Sequence, residues 1–438
     1  MRILSIAAGA GGMYCGSCLR DNALAAELLA RGHDVTLQPL YTPLLTDDSN
    51  VTRPGVLFGG ISVYLQHYST LFGRLPRVFD RLLDSPQVIS AFANRAVSTN
   101  PRMLGGLTIS VLEGREGRLR KEFDKLIEWA ATEPKPDIVS ITNSMLIGLA
   151  RPLAEALQVP VCCTLQGEDL FLENLQPPYR QQAIDLIRQQ VRYVDRFVAV
   201  SHFYSGFMSR YLQIAPERMS IVPLGIKVNG FEPRTPRSSG TAGDPFRIGF
   251  MARIAPEKGL QVLAAAFVAL RKKPDTAHVR LEAAGHLAAA DKPYLDQVRR
   301  DIERAGLAND FVYHGVVDRD AKTRFLRTLD VTSLPATYDE PKGLSVLESM
   351  ACGVPVVQPR RGSFVEMLDA TGGGLLVDST VEALTEGLYR LFKDQALRET
   401  LGRQGADGVR AHYTVARMAD RLLEVYADVL DHRRSDAA

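Results

Sequence analysis

The stretch Tyr338-Asp-Glu-Pro-Lys-Gly-Leu-Ser-Val-Leu-Glu-Ser-Met-Ala-Cys-Gly-Val-Pro-Val-Val357 predicts a loop, a helix and a strand in succession. Gly343 can begin the helix and Gly353 can end it, since glycine adopts the backbone conformations found at helix ends. The apolar run from Val354 to Val357 is typical of a short buried strand. A helix followed so closely by a strand indicates an α/β unit with a parallel sheet.

The N-terminus of this helix is a candidate phosphate site. Backbone N–H groups there have no intrahelical acceptor, and the helix dipole favours an anion such as a diphosphate. We therefore expect this turn to bind substrate through Gly343, Leu344 and Ser345. Glu348, about one turn into the helix, is expected to accept hydrogen bonds from the vicinal hydroxyls of a ribose. Glu340, in the preceding loop, is expected to reach a second hydroxylated ring.

Length and composition indicate a globular protein of about two to three domains. The chain has 438 residues, of which 46% are hydrophobic and 23% charged, and its formal net charge of +2 argues against a dedicated nucleic-acid-binding protein. No run of about 18 apolar residues occurs. The first apolar segment, Met1 to Ala8, leads directly into a glycine-rich loop without the features of a signal peptide. We therefore expect a cytoplasmic protein.

Strand-like runs alternate with amphipathic helical patterns, which predicts parallel sheets covered by helices on both faces. Residues 233–245 are poor in apolar side chains and are expected to form a linker. The expected domains are 1–232 and 246–411, followed by a final helix and polar tail over 412–438. The predicted strands cover residues 2–7, 35–37, 138–141, 161–165, 197–200 and 221–222 in the first half, and 247–251, 279–284, 311–313, 331–334, 355–358 and 375–377 in the second.

Arg253 and Lys258 follow the first predicted strand of the second half. Ligands of open parallel sheets bind outside the carboxyl ends of the strands, where both cations are expected to lie near the helix that begins at Gly343. There they would bring two positive charges to the diphosphate. Together with Glu340, they are the predicted catalytic residues.

The segment from Glu340 to Glu348 resembles the E-x7-E segment of retaining GT-B glycosyltransferases of family 4, and the Arg253 and Lys258 pair resembles the Arg and Lys of that family. The resemblance implies two Rossmann-like doubly wound domains facing across a cleft, with the C-terminal helix crossing back to the N-terminal domain. It also implies a nucleoside diphosphate sugar as co-substrate, retention of anomeric configuration and a leaving diphosphate that helps to deprotonate the acceptor. No cofactor and no metal site are expected.

Two loops of the first half resemble parts of the same family. Gly9-Ala-Gly-Gly12 is similar to the loop that closes over the donor phosphates, so Gly11 and Gly12 are expected to contact substrate. The segment Gln166-Gly-Glu-Asp169 stands where the family often has a His-Gly-x-Asp-like motif. Gln166 can still hydrogen-bond a donor sugar hydroxyl, but it cannot supply a titrating imidazole. Asp169 is expected either to bind the acceptor or to stabilise the loop.

The sequence thus predicts a retaining glycosyltransferase that moves a hexose from a nucleoside diphosphate sugar to an acceptor hydroxyl on a glycan, a lipid-linked molecule or a small molecule. A catalytically silent protein that binds a sugar nucleotide is one alternative. A NAD-type Rossmann enzyme is another, and it is disfavoured because Tyr14 stands where G-x-G-x-x-G needs a small residue and because no acidic residue ends the second strand.

The basic stretch from Arg115 to Lys125 supports a third alternative, a membrane-surface protein. Five basic residues lie within it, with Leu119 and Phe123 between them. Basic amphipathic stretches can lie on anionic lipid. Peripheral contact with the inner face of the membrane is therefore an additional expectation.

Overall fold

The computed structural model describes residues 1–9, 15–58, 101–235 and 243–437, and its backbone divides into two compact units. Unit 1 comprises Met1–Pro223 and Met418–Ala438, and unit 2 comprises Leu224–Arg417. Each unit contains one six-stranded parallel sheet. The predicted class, two Rossmann-like α/β domains, is confirmed.

The sheet of unit 1 has the strand order β2-β1-β3-β4-β5-β6. Its central strands β3 and β4 are mostly apolar and are buried along their whole length, as is typical of parallel strands covered on both faces. The strands are β1 Arg2–Ala7, β2 Asp34–Pro39, β3 Ile138–Ile141, β4 Val161–Leu165, β5 Arg196–Ala199 and β6 Met219–Ile221. The helices described before the unit boundary are α1 Gly16–Ala30, α2 Pro101–Leu112, α3 Arg120–Thr132, α4 Ala150–Leu157, α5 Asp169–Glu173, α6 Tyr179–Gln190 and α7 His202–Leu212.

The sheet of unit 2 has the strand order β12-β11-β10-β7-β8-β9. Its strands are β7 Phe246–Met251, β8 Val279–Ala284, β9 Phe311–Tyr313, β10 Val331–Thr332, β11 Val356–Pro359 and β12 Gly374–Val377. Its helices are α8 Leu260–Leu270, α9 Lys292–Arg304, α10 Arg319–Thr328, α11 Leu344–Ala351, α12 Phe364–Thr371, α13 Val381–Lys393 and α14 Gln395–His412. A continuous apolar core fills the space between this sheet and its helices.

The last helix, α15 Val415–Ala437, packs in unit 1 from Met418 onward. Leu422, Tyr426 and Val429 of this helix are at most 3% exposed. Residues at such helical spacing share one face, which is the buried face of the helix. The expectation that the final helix returns to the N-terminal domain is confirmed.

The unit boundary at Pro223 and Leu224 lies earlier in the chain than the expected end of the first domain at residue 232. Leu224, Ile226 and Phe231 are buried in the core of unit 2, which explains why this segment belongs to it. Within the expected linker 233–245, residues 236–242 lie outside the described residues.

Candidate active site

The strand order of unit 2 creates a switch point between β7 and β10. From β7 the chain continues to β8 on one side, whereas β10 continues to β11 on the other. The loops after these two strands therefore diverge at the carboxyl edge of the sheet, where open α/β sheets bind ligands. The loop after β7 carries Arg253 and Lys258, and the loop after β10 carries Tyr338 and Glu340.

Lys258 joins the two loops. It ends a short 3-10 turn, Pro256–Lys258, and Nζ lies 2.6 Å from Oε2 of Glu340 and 2.5 Å from the hydroxyl oxygen of Tyr338. Gly259 has a φ of 82°, and a Cβ there would collide with the carbonyl oxygen of Pro335. A glycine at this position therefore allows the close approach that brings the lysine to the carboxylate.

Glu340 is 3% exposed and ionised. Burial alone raises the pKa of such a carboxyl, but the charge and hydrogen bond of Lys258, with the hydroxyl of Tyr338, bring the pKa of Glu340 down to about 2. Oε2 accepts the hydrogen bonds from both Lys258 and Tyr338. Within the described ranges, Oε1 accepts two long hydrogen bonds, from the N–H groups of Lys342 at 3.3 Å and Gly343 at 3.5 Å. It can therefore accept a further hydrogen bond.

Residues of the loop after β11 hold the backbone of Glu340 in place. The N–H and hydroxyl of Ser363 donate to the carbonyl oxygen of Glu340 at 2.9 and 2.8 Å. Arg361 also pairs with Asp339 at 3.0 Å. The loop after β11 therefore holds the loop after β10 in place, and the carboxylate is rigidly positioned.

Helix α11 begins at the predicted position. Gly343 is its N-cap, with a φ of 66°, and a Cβ there would lie 2.9 Å from Cε of Met367. Its carbonyl oxygen accepts hydrogen bonds from Val346 and Leu347. Within the described part of the chain, the N–H groups of Leu344 and Ser345 have no acceptor, which is the arrangement that binds anions at helix starts.

Glu348 forms a buried ion pair that the sequence did not reveal. Oε1 lies 2.6 Å from Nζ of Lys322 on α10, and the two side chains are 7% and 6% exposed. The ammonium group also lies 5.5 Å from the ring centroid of Phe231. Lys322 shares the buried face of α10 with Phe325 and Leu326, so a lysine in the apolar stripe was the available signal. Lys322 balances the charge of Glu348 and fixes its direction.

Arg253 is not part of the Lys258 and Glu340 contact. Its guanidinium pairs with Glu257 on the same loop, and its side chain is 39% exposed. The structure therefore brings together Lys258, Glu340 and the start of α11, and it leaves Arg253 at the surface of the same loop.

Unit 1 also has a switch point, between β1 and β3, and Gln166 lies beside it after β4. Nε2 of Gln166 donates to the carbonyl oxygen of Thr142 at 2.6 Å and faces the carboxylate of Asp21 at 3.3 Å. Both partners are acceptors, which fixes the orientation of the amide. Oε1 of Gln166 is buried without a hydrogen-bond partner among the described residues.

Asp21 and Arg20 form a second buried ion pair, at 2.9 Å, behind Gln166. Burial raises the pKa of Asp21, and the neighbouring guanidinium opposes this rise. Nε and one terminal nitrogen of Arg20 are buried and have no hydrogen-bond partner among the residues that the structure describes. No sequence pattern indicated that α1 would supply these two charges to the Gln166 loop.

Asp169 and Glu168 surround the hydroxyl of Tyr204. Glu168 accepts hydrogen bonds from the N–H and hydroxyl of Ser144 at 2.9 and 2.7 Å, so it fixes the loop. Asp169 accepts from Tyr204 at 2.7 Å. Burial raises the pKa of Asp169 to about 6, and the hydrogen bond from Tyr204 limits that rise. Both expected roles of Asp169, loop support and acceptor binding, are compatible with this position.

Gly11 and Gly12 lie outside the described residues. The basic stretch of the membrane alternative is described, and it is partly neutralised: Arg115 pairs with Asp124 at 2.8 Å, and Lys125 pairs with Glu122 at 3.2 Å. No helix in the described ranges is long and apolar enough to cross a membrane. The described residues also contain no group of three or more His, Cys, Asp or Glu side chains arranged to hold a metal ion.

Two doubly wound parallel units, with a helix that starts at the switch point of the second, are typical of the GT-B class of proteins. Residues 231–407 match the family described as glycosyl transferases group 1, and residues 105–229 match glycosyltransferase family 4. The chain belongs to this family of glycosyltransferases.

Curated relatives agree with this family. The chain is 30% identical to the D-inositol 3-phosphate glycosyltransferase of Paenarthrobacter aurescens, over 64% of this chain and 69% of that one. It is 31% identical to the enzyme of the same description from an Arthrobacter strain, of whose length it spans about half, 47%.

Among solved structures, the sucrose-phosphate synthase of Thermosynechococcus elongatus has a TM-score of 0.70 at 16% identity, over 99% of this chain and 100% of that one. The Anabaena protein HepE, in complex with UDP, has a TM-score of 0.66 at 16% identity, over 98% and 100%. At this identity the likeness concerns the fold alone.

Proposed function

We propose that this protein is a retaining glycosyltransferase that transfers a hexose from a nucleoside diphosphate sugar to an acceptor hydroxyl. The observation that carries the proposal is the contact of Lys258 with Glu340 beside the unpaired N–H groups at the start of α11. A cation, backbone donors and an ionised carboxylate then stand within one loop cluster. This combination suits a ligand with a diphosphate and hydroxyls on either side.

The diphosphate is held by the amides of Leu344 and Ser345 and by the ammonium of Lys258. During transfer the bond between the anomeric carbon and the diphosphate oxygen breaks, and a bond from the acceptor oxygen to that carbon forms. The acceptor proton passes to the leaving diphosphate. Negative charge therefore grows on the leaving group, where fixed positive charge is most useful. Arg253, exposed on the same loop, supplies the second cation.

The two glutamates bind the two ends of the donor. Glu348, fixed by Lys322, accepts hydrogen bonds from the ribose hydroxyls. Glu340 keeps Lys258 in place with Oε2 and accepts a hydroxyl of the transferred sugar with Oε1, whose present contacts are long. Gly343 lies between them at the phosphates.

The first unit contributes the remaining proposed contacts. Oε1 of Gln166 accepts a hydroxyl of the donor sugar, because the amide orientation leaves this oxygen without a partner among the described residues. Gly11 and Gly12 approach the donor phosphates, and Asp169 binds the acceptor. The acceptor is a glycan, a lipid-linked molecule or a small molecule, and the reaction takes place in the cytoplasm. We infer that it needs neither metal nor cofactor, since the amides and cations already neutralise the diphosphate.

A panel of nucleoside diphosphate sugars tests the proposal, beginning with UDP-glucose because HepE forms a complex with UDP. Thermal stabilisation identifies the donor, and NMR of the transfer or hydrolysis product gives its anomeric configuration. We expect a retained configuration, unchanged activity with EDTA, and donor binding that is roughly tenfold weaker in Glu348→Gln. Glu303→Gln, an exposed change on α9, is the matched control. Binding without any turnover would favour the silent sugar-nucleotide-binding protein, and an inverted product would refute retention.

A further inference from the structure

A cavity in unit 1 lies at the end of its sheet opposite to the Gln166 loop. It has a volume of about 390 Å³ and forms at the amino ends of β5 and β6, whereas the Gln166 loop lies at a carboxyl end. We call it the arginine cavity. The residues that carry its charge and its one aromatic ring are Arg151, Glu155, Arg192, Tyr193, Asp195, Arg218 and Arg433.

Two of the four guanidinium groups have carboxylate partners. Arg151 pairs with Glu155 at 2.8 Å, and Arg433 pairs with Asp195 at 3.0 Å. Arg192 and Arg218 have none among the described residues. The cavity therefore holds two positive charges that no described carboxylate balances.

Arg218 is fixed in place by neutral groups. It donates hydrogen bonds to the carbonyl oxygens of Val191, at 3.0 Å, and of Val194. These contacts orient the guanidinium without reducing its charge. A fixed cation loses little side-chain entropy when it binds an anion.

Tyr193 lies between two of the arginines. The guanidinium carbons of Arg192 and Arg151 are 4.8 and 5.5 Å from its ring centroid. Such stacking holds the planar groups in position. Within the described ranges the Tyr193 hydroxyl has no hydrogen-bond partner, so it is a further available donor.

We propose that the arginine cavity is a binding site for a phosphate group that carries two negative charges, separate from the sugar-nucleotide site. Guanidinium groups bind phosphate oxygens in pairs, and the cavity supplies two unbalanced guanidiniums and a phenol. Its volume suits a small phosphorylated molecule. A soluble phosphate compound and the phosphomonoester headgroup of a lipid share this chemistry.

Calorimetric titration with sodium pyrophosphate at constant ionic strength tests the site. Pyrophosphate can also bind at the start of α11, so all titrations use a Lys258→Ala background. We expect Arg192→Gln to weaken binding roughly tenfold or more, the loss of one charge-assisted contact, and Tyr193→Phe to weaken it less. Arg299→Gln is the control, since that exposed guanidinium also lies 6.0 Å from a tyrosine ring centroid, in unit 2. Equal affinity in Arg192→Gln and its parent would overturn the proposal.

Sedimentation with vesicles identifies the source of the phosphate. Phosphatidylcholine vesicles with and without phosphatidic acid are compared for the parent protein and Arg192→Gln. If the protein sediments with the vesicles only when both phosphatidic acid and Arg192 are present, the ligand is a lipid headgroup. If pyrophosphate binding requires Arg192 but the protein does not sediment with these vesicles, the ligand is a soluble phosphate compound. If neither pyrophosphate binding nor vesicle sedimentation depends on Arg192, the proposed phosphate site is wrong. That result would not bear on donor binding by the wild-type protein, which is tested separately.

Discussion

Replacing Lys258 with Met should destabilise unit 2 because it leaves Glu340 buried without its cation. The pKa of Glu340 is about 2 against a reference of 4.5, a difference of 4.5 − 2 = 2.5. At 1.36 kcal/mol per unit, the folded environment stabilises the ionised form by about 3 kcal/mol at neutral pH. The side chains of Lys258 and Glu340 are 18% and 4% exposed, so solvent compensates for little of the loss.

The pH dependence follows from the sign of this shift. The folded pKa of Glu340 is depressed, so its contribution is present above about pH 4.5 and is lost as the pH falls towards 2. In Lys258→Met, burial would instead raise the pKa of Glu340 above its reference value. The difference in stability between wild type and variant should therefore be largest near neutral pH, and it should shrink as the pH falls through the raised pKa of the variant and on towards 2.

Hydrogen exchange followed by peptide is the suitable assay, since the two units need not unfold together. Protection of α11 in unit 2 should fall in Lys258→Met, whereas protection of β4 in unit 1 should not. The double variant Lys258→Met with Glu340→Gln should regain part of the loss, because no uncompensated carboxylate remains. Unchanged protection of α11, or a double variant as unstable as the single one, would refute the reasoning.

Two further variants test the other buried contacts. Lys322→Met should raise the KM for the donor about tenfold with a smaller change in kcat, because Glu348 contacts a part of the donor that does not react. The control Lys393→Met breaks an exposed ion pair with Asp275 and should change neither KM nor kcat. Gln166→Glu should lower the free energy of unfolding by about 1–3 kcal/mol in urea titrations, because an oxygen would then face the Thr142 carbonyl. The control Gln182→Glu changes an exposed side chain and should leave the stability unchanged. Equal stability of the two variants would show that the assigned amide orientation of Gln166 is wrong.

The strand pattern was predictable because parallel strands buried on both faces are continuous apolar runs. The predicted strand 138–141 coincides with β3, and 279–284 coincides with β8. The prediction of 331–334 was too long, since β10 ends at Thr332. The N–H of Leu334 donates to the side-chain oxygen of Gln358 instead of a strand partner, and the chain turns there towards the Glu340 loop. Side-chain acceptors of this kind are not visible in a hydrophobic pattern.

The start of α11 was predictable because glycine and the following apolar pattern are local features. The cations that pair with the two glutamates were not predictable, since Lys258 and Lys322 are distant in the sequence and reach the glutamates only in the folded chain. A lysine in the apolar stripe of α10 was a usable signal for a buried charge. The Arg20 and Asp21 pair behind Gln166 had no comparable signal, because its burial depends on contacts of α1 with residues that follow β3 and β4, namely Thr142 and Gln166.

The most direct measurement of the central claim, that unit 2 binds a nucleoside diphosphate with Glu348 on the ribose, is a calorimetric cycle. Wild type and Glu348→Gln are each titrated with UDP, or with whichever diphosphate the panel selects, and with its 2′,3′-dideoxy analogue. The wild type should bind the analogue roughly tenfold more weakly, and the variant should bind both compounds alike. A variant that still discriminates between them as strongly as the wild type would contradict the assignment of Glu348.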